Sequence, residues 1–433
     1  MSQLVVVQVG QCGNQVGMAL FDAVAAEAAA APAGFQRAAL RRFFRGDGEE
    51  DAAPRPPLVA RAVLVDMEPK VINRCLEHRH PWVYDASQVY FQQSGSGNNW
   101  GHGFGHFGPR CEEAVVRHVR REVAQADAFG GFLLLQSAAG GTGSGFGTRV
   151  AEALRAAFPD ALLINCVVWP YDSGEVIVQH YNSLLTMSHI CRVSDGVLVI
   201  ENDVVGRVCR ELLRIPAPSF HDLNGVIARY LAMLFLPAAA SDRGGEPLSL
   251  ASLVTHLCSH PGFRIMTVRM LPVMPPSSVK FSVHSWAGIL KHLKQMQVAD
   301  AKLEEGINWR LQEGSPGANK AVSTAVILRG EDAGHADASG FEAPTLYAGW
   351  ASPPCAVFRS RSHFGGYDKA GAVIRLVLQC VRLPLLERSL GRAFQMFEAG
   401  AFLHQYRQFG VTEEAFLAAF AYMEQIVYNY KSL

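Results

Sequence analysis

The 433-residue sequence has no excess charge of either sign, since 39 lysines and arginines are matched by 39 aspartates and glutamates. A balanced surface carries no field that draws a chain onto nucleic acid or an anionic membrane, so neither is expected as a partner. No apolar stretch reaches the length that crosses a bilayer, and residues 1–9 lack a basic leader with a cleavage-type site. The cytosol or nucleus is the expected location. The nine cysteines, at 12, 75, 111, 166, 191, 209, 258, 355 and 380, include no C-x-x-C pair, and the histidines form no group at ligand spacing. That pattern speaks against a zinc module and fits reduced thiols better than a disulfide framework. No stretch repeats with a period of 20 to 50 residues, which excludes a solenoid or propeller.

What is present is apolar patterning, with 49% hydrophobic residues in a chain long enough for two or three cores in contact. Short apolar runs at 4–9, 62–66, 131–136, 162–168 and 196–200 have the character of buried strands. Helix-length segments such as 112–126 and 147–157 separate them, which predicts a mostly parallel sheet covered on both faces. The stretch 28–57 is rich in Ala and Arg and ends in Pro54-Arg55-Pro56-Pro57, so a partly disordered surface insertion is expected there. A long helix over 222–235 leads to a second half with strands at 265–270, 324–329, 356–359 and 372–381 and a helix at 286–296. From 383 the pattern is helical, over 390–399 and 413–430. The expected organisation is an α/β domain over 1–203, a connecting helix with a smaller α+β domain over 204–380, and C-terminal helices over 381–433.

The chemistry-bearing motif follows the strand at 131–136, which runs into Ser137-Ala138-Ala139-Gly140-Gly141-Thr142-Gly143-Ser144-Gly145 and then a helix. A glycine-rich loop opening a helix presents backbone N–H groups at the positive end of the helix dipole, as a di- or triphosphate requires. The loop lacks the G-x-x-x-x-G-K-[ST] spacing and has no lysine after it, so backbone amides, the dipole and a metal are expected to meet the phosphate charge. Taken alone, such a loop is as readily a flexible turn. Two further small-residue loops, at Gln11-Cys12 and at Ser94-Gly95-Ser96-Gly97-Asn98-Asn99-Trp100, are able to approach the same sheet edge, which favours a ligand site.

The order and spacing of Gly10-Gln11-Cys12-Gly13-Asn14-Gln15, Asp66-Met67-Glu68-Pro69, Ser96-Gly97-Asn98-Asn99-Trp100 and Gly140-Gly141-Thr142-Gly143-Ser144-Gly145 resemble the tubulin superfamily over essentially the whole chain. The delta-type branch is the most similar, through residues 60–73, 169–183, 284–296, 301–307 and 402–416. The resemblance implies a tubulin-like α/β fold: a Rossmann-type parallel sheet binding GTP or GDP with Mg²⁺, a smaller α+β intermediate domain and a C-terminal helical hairpin. It places phosphate contacts on Gln11, Cys12, Ser96, Gly97, Asn98, Ser137, Gly140, Gly141, Thr142, Gly143, Ser144 and Gly145. Asn202 and Asn224 carry the base contacts, with Phe220 stacked on the purine, and Glu175 meets the ribose. An Asn amide offers a donor to guanine O6 and an acceptor to its N1–H and N2–H₂, although an isolated Asn is ordinarily a turn or cap residue. Asp66 and Glu68 are the expected Mg²⁺ ligands, direct or through water; acidic residues after a strand also cap helices.

Two departures from the family pattern bear on function. The loop that resembles the family's N-x-D-x-x-E, which supplies catalytic acid to a neighbouring subunit, reads Pro247-Leu248-Ser249-Leu250-Ala251-Ser252. Ser252 cannot act as a general base near neutral pH, so at most a weak GTPase is expected. Tyr428-Asn429-Tyr430-Lys431 is followed by Ser432-Leu433, so the acidic tail of the lattice-forming family members is not expected here. The function implied is that of a structural tubulin of centrioles, basal bodies and cilia supporting centriolar triplet microtubules. Its implied partners are alpha-, beta- and epsilon-tubulin and centriole or basal-body components. Alternatives are a GTPase that forms its own filament and a monomeric tubulin-binding scaffold.

Overall fold

The computed structural model describes residues 2–46, 57–77, 80–174, 176–240, 246–349, 354–377 and 384–432. Its frame is an 11-stranded sheet. From one edge the strands are Val89–Phe91, Ala62–Asp66, Gln3–Val9, Phe129–Ser137, Leu163–Trp169 and Gly196–Glu201, all parallel. Five of these lie within two residues of the ends expected from sequence. Val89–Phe91 was not legible, because three residues give no measurable period.

Alternation along each strand divides the core in two. Leu4 and Val6, with Leu133 and Leu135, pack on one face of the sheet, while Val5, Val7 and Val9, with Phe132 and Leu134, pack on the other. Both faces are covered, which is why these segments are apolar throughout rather than every second residue. Each such side chain, at 1% exposure or less, contributes about 1.5–3 kcal/mol to folding.

The second half continues the same sheet. Ile265 and Met266 of the strand Ile265–Leu271 pair in parallel with Val197 and Leu198. Beyond that narrow junction come Lys369–Val377, Ala321–Gly330, Cys355–Ser360 and Ala239–Ala240, in mixed pairing. The strand expected over 372–381 is described to Val377; its remainder and the expected boundary at 380/381 lie outside the described residues.

The long helix Phe220–Phe235 is fixed at both ends. Ser219 and Asp222 form a capping box at its start. At its end, Arg329 Nη1 donates to the Pro237 carbonyl (2.7 Å) and Nη2 to those of Leu236 (2.6 Å) and Met233 (3.1 Å). Arg42 Nη1 donates to the Phe235 carbonyl at 2.7 Å, and its Nη2 to Leu248 at 2.8 Å. Two guanidinium groups thus satisfy carbonyls that a helix end leaves open, at the negative pole of its dipole. Burial pulls the Arg329 pKa down to about 9, with the Arg42 charge adding to the shift and Glu27 opposing it.

Arg42 corrects one expectation. Residues 33–43 are not part of a loose insertion but form the helix Ala33–Phe43, with Ala39, Leu40, Arg42 and Phe43 buried. The Ala/Arg composition that suggested disorder is an amphipathic face. Residues 47–56 lie outside the described residues. The C-terminal helices Pro384–Glu398, Leu403–Arg407 and Glu413–Lys431 follow, the first and last packing on Gln179–Val193.

Candidate functional site

The carboxyl ends of the parallel strands open into a cleft of about 490 Å³. Gln11 and Cys12 follow Gln3–Val9, Asp66 ends Ala62–Asp66 with Glu68 just beyond it, and Ser96, Gly97 and Asn98 come after Val89–Phe91. Ser137, Gly140, Gly141, Thr142 and Gly143 follow Phe129–Ser137, and Asn202 follows Gly196–Glu201. Phe220 and Asn224 arrive from the start of the long helix. Ligands of open α/β sheets bind in this place because the strands end there and the helices begin.

Close backbone approach shapes the cradle. Gly10, at φ +74°, sits so near Gly143 that a Cβ there would lie 2.8 Å from the Gly143 nitrogen. A Cβ on Gly141 would lie 2.6 Å from Ser96 Cβ and 2.8 Å from its carbonyl oxygen, so only glycine lets the two loops touch. At Gly140 the nearest atom to an added Cβ is Asn98 Oδ1 at 3.9 Å, and at Gly97 there is none within 4 Å. Those two glycines border open space. Thr142 Oγ1 and Ser96 Oγ lie 2.9 Å apart and tie the loops together.

Ser144 and Gly145 do not line the cleft with their neighbours. The Ser144 hydroxyl donates to the Gly140 carbonyl and holds the first turn, and a Cβ on Gly145 would strike the Trp100 carbonyl at 2.1 Å. Their side-chain positions serve the loop from behind. Thr142–Phe146 is a π-helical turn that passes directly into the helix Gly147–Ala157, so its first N–H groups face the cleft at the positive pole.

Asn182 was not foreseen. From the helix Gln179–Val193 its Nδ2 donates to the carbonyls of Asn98 (2.8 Å) and Ala139 (2.6 Å), and its Oδ1 accepts from Trp100 N–H (3.0 Å) and the Tyr406 hydroxyl (2.6 Å). One fully buried amide joins both cradle loops to the C-terminal segment. Gln179 and Tyr171 also line the cleft; Gln179 Nε2 donates to the Tyr171 carbonyl at 3.1 Å. Gln179 Oε1 is buried and has no partner among the described residues. Nothing in their spacing marks these residues in the sequence, since their partners are distant along the chain.

Electrostatically, the phosphate end carries both signs. Asp66 is 5% exposed, and its Oδ1 accepts from Met67 N–H at 2.7 Å. Burial raises its pKa from 3.8 to about 6 against the pull of that bond and with the nearby Glu68 adding to the rise. A buried carboxylate of this kind gains from a cation. Lys70 also lines the cleft, so a lysine stands there although none follows the glycine-rich loop, in addition to the amides, dipole and metal expected to meet the charge. Burial pushes the Cys12 thiol up to about 12, leaving it an uncharged wall rather than a nucleophile.

At the base end, Phe220 and Asn224 stand one turn apart on the same helix, Phe220 half exposed at 51% and Asn224 buried. Asn202 opens the short helix Asn202–Arg207 opposite. Two amides and an aromatic ring therefore stand at one end of the cleft. Glu175 lies outside the described residues. Ser252 is not among the residues that line the cleft and belongs to a capping box at the start of Leu250–Leu257, where its Oγ accepts from Ser249 N–H at 2.8 Å.

Glycine loops on a helix N-terminus, two amides and an aromatic ring lining the same cleft, and a buried carboxylate beside them define a nucleotide-binding protein of the parallel α/β class. Residues 3–210 match the family model described as Tubulin/FtsZ family, GTPase domain. The chain is 40% identical to the Tubulin delta chain of Mus musculus, over 99% of this chain and 99% of that one. Identity to the Tubulin delta chain of Homo sapiens is also 40%, over 99% of this chain and all of the relative, and to that of Canis lupus familiaris 39% over the same shares. The chain belongs to the tubulin family, as a GTP-binding member of delta type. It is accordingly a cytoskeletal protein that interacts with other tubulins, and among the described residues no helix is long and apolar enough to cross a membrane.

Proposed function

We propose that this chain holds GTP in the cleft as an assembly cofactor, with Mg²⁺ on Asp66 and Glu68, and does not activate the GTP of a neighbouring subunit. The observation that carries the proposal is the cradle itself. Gly10 and Gly141 are packed so closely on the neighbouring loops that no Cβ fits, while Gly97 and Gly140 border an opening of nucleotide size. Gln11, Cys12, Ser96, Asn98, Ser137 and Thr142 surround the phosphates, with Ser144 and Gly145 holding the turn behind them; Asn202, Asn224 and Phe220 select guanine. Glu175 is assigned to the ribose on the family resemblance alone. Two carboxylates suit Mg²⁺, which takes one or two along with phosphate oxygens and keeps several waters.

The missing acid supports the second half of the proposal. Ser252, whose hydroxyl is held in the capping box, has neither the charge nor the basicity to orient an attacking water. The role that follows is structural: a delta-type subunit at centrioles, basal bodies and cilia, supporting triplet microtubules beside alpha-, beta- and epsilon-tubulin. Equilibrium binding of GTP and ATP to the purified chain, with Asn224→Ala in parallel, tests the pocket. GTP preferred over ATP, with the preference lost in the variant, supports it; equal affinity for both nucleotides in the parent chain contradicts it.

A further inference from the structure

A nucleoside triphosphate brings three to four negative charges into a cleft whose lining already contains two carboxylates, Asp66 and Glu68. Backbone amides at a helix start supply only about half a unit of positive charge. Among the described residues that line the cleft, Lys70 is the only cationic side chain. It is exposed, it lies four residues after the buried Asp66 on the first turn of the helix Pro69–Glu77, and none of the described ion pairs engages it.

We infer that Lys70 is the phosphate-binding cation of this site, supplied from the first turn of the helix that follows Ala62–Asp66 rather than from the glycine-rich loop. The inference rests on the GTP-binding proposal above and adds to it a named charge contact. A lysine ammonium is a compact point charge on a flexible four-carbon stem, so it follows a polyphosphate without requiring a fixed planar geometry. Its neighbours explain why it is needed. Removing it leaves two carboxylates and no cation facing the polyanion, so the metal alone would have to offset both ligand and protein charge. With Lys70 in place, part of the phosphate charge is met whether or not Mg²⁺ is bound. The side chain is exposed and has no ion-pair partner among the described residues, so changing it does not disturb the core.

Calorimetric titration of the full chain with GTP and with guanosine, each with Mg²⁺ and with a chelator, separates the outcomes. Lys70→Met is expected to weaken GTP binding about tenfold or more, the scale of one lost charge-assisted contact, and to leave guanosine affinity unchanged. Chelation is expected to weaken GTP binding more in Lys70→Met than in the parent, and Lys70→Arg to stay near the parent. Equal GTP affinity in parent and Lys70→Met overturns the inference while leaving the pocket intact. So does an equal loss for GTP and guanosine, which marks a change of shape rather than of charge. A parent chain that binds no guanine nucleotide removes the underlying GTP-binding proposal and this inference with it.

Discussion

The Tyr406 hydroxyl donates to Asn182 Oδ1 at 2.6 Å, joining a C-terminal segment to an amide that also holds the carbonyls of Asn98 and Ala139. The residues are 224 apart in sequence, and both are buried. The phosphate loops and the C-terminal helices therefore share one hydrogen-bond network, with the aromatic ring of Tyr181 packed edge-on to Tyr406.

Tyr406→Phe keeps the ring and deletes only the donor, while Asn182 Oδ1 retains its bond from Trp100 N–H. The expected cost is about 1 kcal/mol of stability, with nucleotide affinity weaker by about three- to tenfold. Chemical denaturation and nucleotide dissociation rates measure the two parts. An unchanged dissociation rate would show that the network supports the fold without reaching the ligand.

The two adjacent glycines of the cradle have different reasons for being glycine. Gly141→Ala drives a Cβ into Ser96 and costs the nucleotide-free protein about 1–3 kcal/mol, as overpacking does. Gly140→Ala, whose Cβ meets only Asn98 Oδ1 at 3.9 Å, leaves that stability nearly unchanged but intrudes on the ligand. Thermal melts with and without GTP distinguish them: the first variant melts lower in both conditions, the second loses only the shift produced by GTP.

Asp66 makes the nucleotide-free protein sensitive to pH. Its folded pKa of about 6 lies above the unfolded value of 3.8, so the folded state holds the proton more tightly. This contribution is fully present below the unfolded pKa and is lost as pH rises through about 6, by on the order of 3 kcal/mol. Asp66→Asn, which keeps the acceptor for Met67 N–H, is expected to flatten that dependence and to raise nucleotide-free stability at pH 8. It is also expected to reduce the Mg²⁺-dependent part of GTP affinity, since Glu68 alone then remains. Denaturation midpoints between pH 5 and 8 provide the check, and an undiminished slope in the variant would count against this account of Asp66.

Much of the fold and of the cleft is legible in the sequence, and what is not has a common physical cause. The parallel strands and the glycine loop are local patterns: apolar runs, then small residues, then a helix. Asp66, Asn202 and Asn224 fall into the cleft because the family's spacing is kept. Asn182, Tyr406, Gln179 and Lys70 escaped notice because their roles depend on residues brought near by folding, with no local pattern to announce them. Arg42 was hidden by composition, since an Ala/Arg-rich stretch reads as solvent-facing until Phe235 and Leu248 offer it carbonyls. Val89–Phe91 was simply too short.

Ser252→Glu tests the claim of lost catalysis at little structural risk. Ser249 and a glutamate three residues later form the usual capping-box pair, so the helix Leu250–Leu257 tolerates the change. The variant is expected to fold as the parent does and, when assembled with GTP, to show phosphate release that rises with protein concentration. Turnover equal to that of the parent under assembling conditions would leave the serine without the role assigned to it.

The central claim is that the cleft holds GTP and that one copy of the chain does not hydrolyse the GTP of another. The direct measurement is to purify the full chain, release its bound nucleotide by denaturation, and determine base identity and phosphate number over hours at several protein concentrations. The account predicts guanine nucleotide recovered as GTP that persists as GTP at every concentration. GDP accumulating faster as concentration rises, or a chain that carries no guanine nucleotide and binds none, would contradict it.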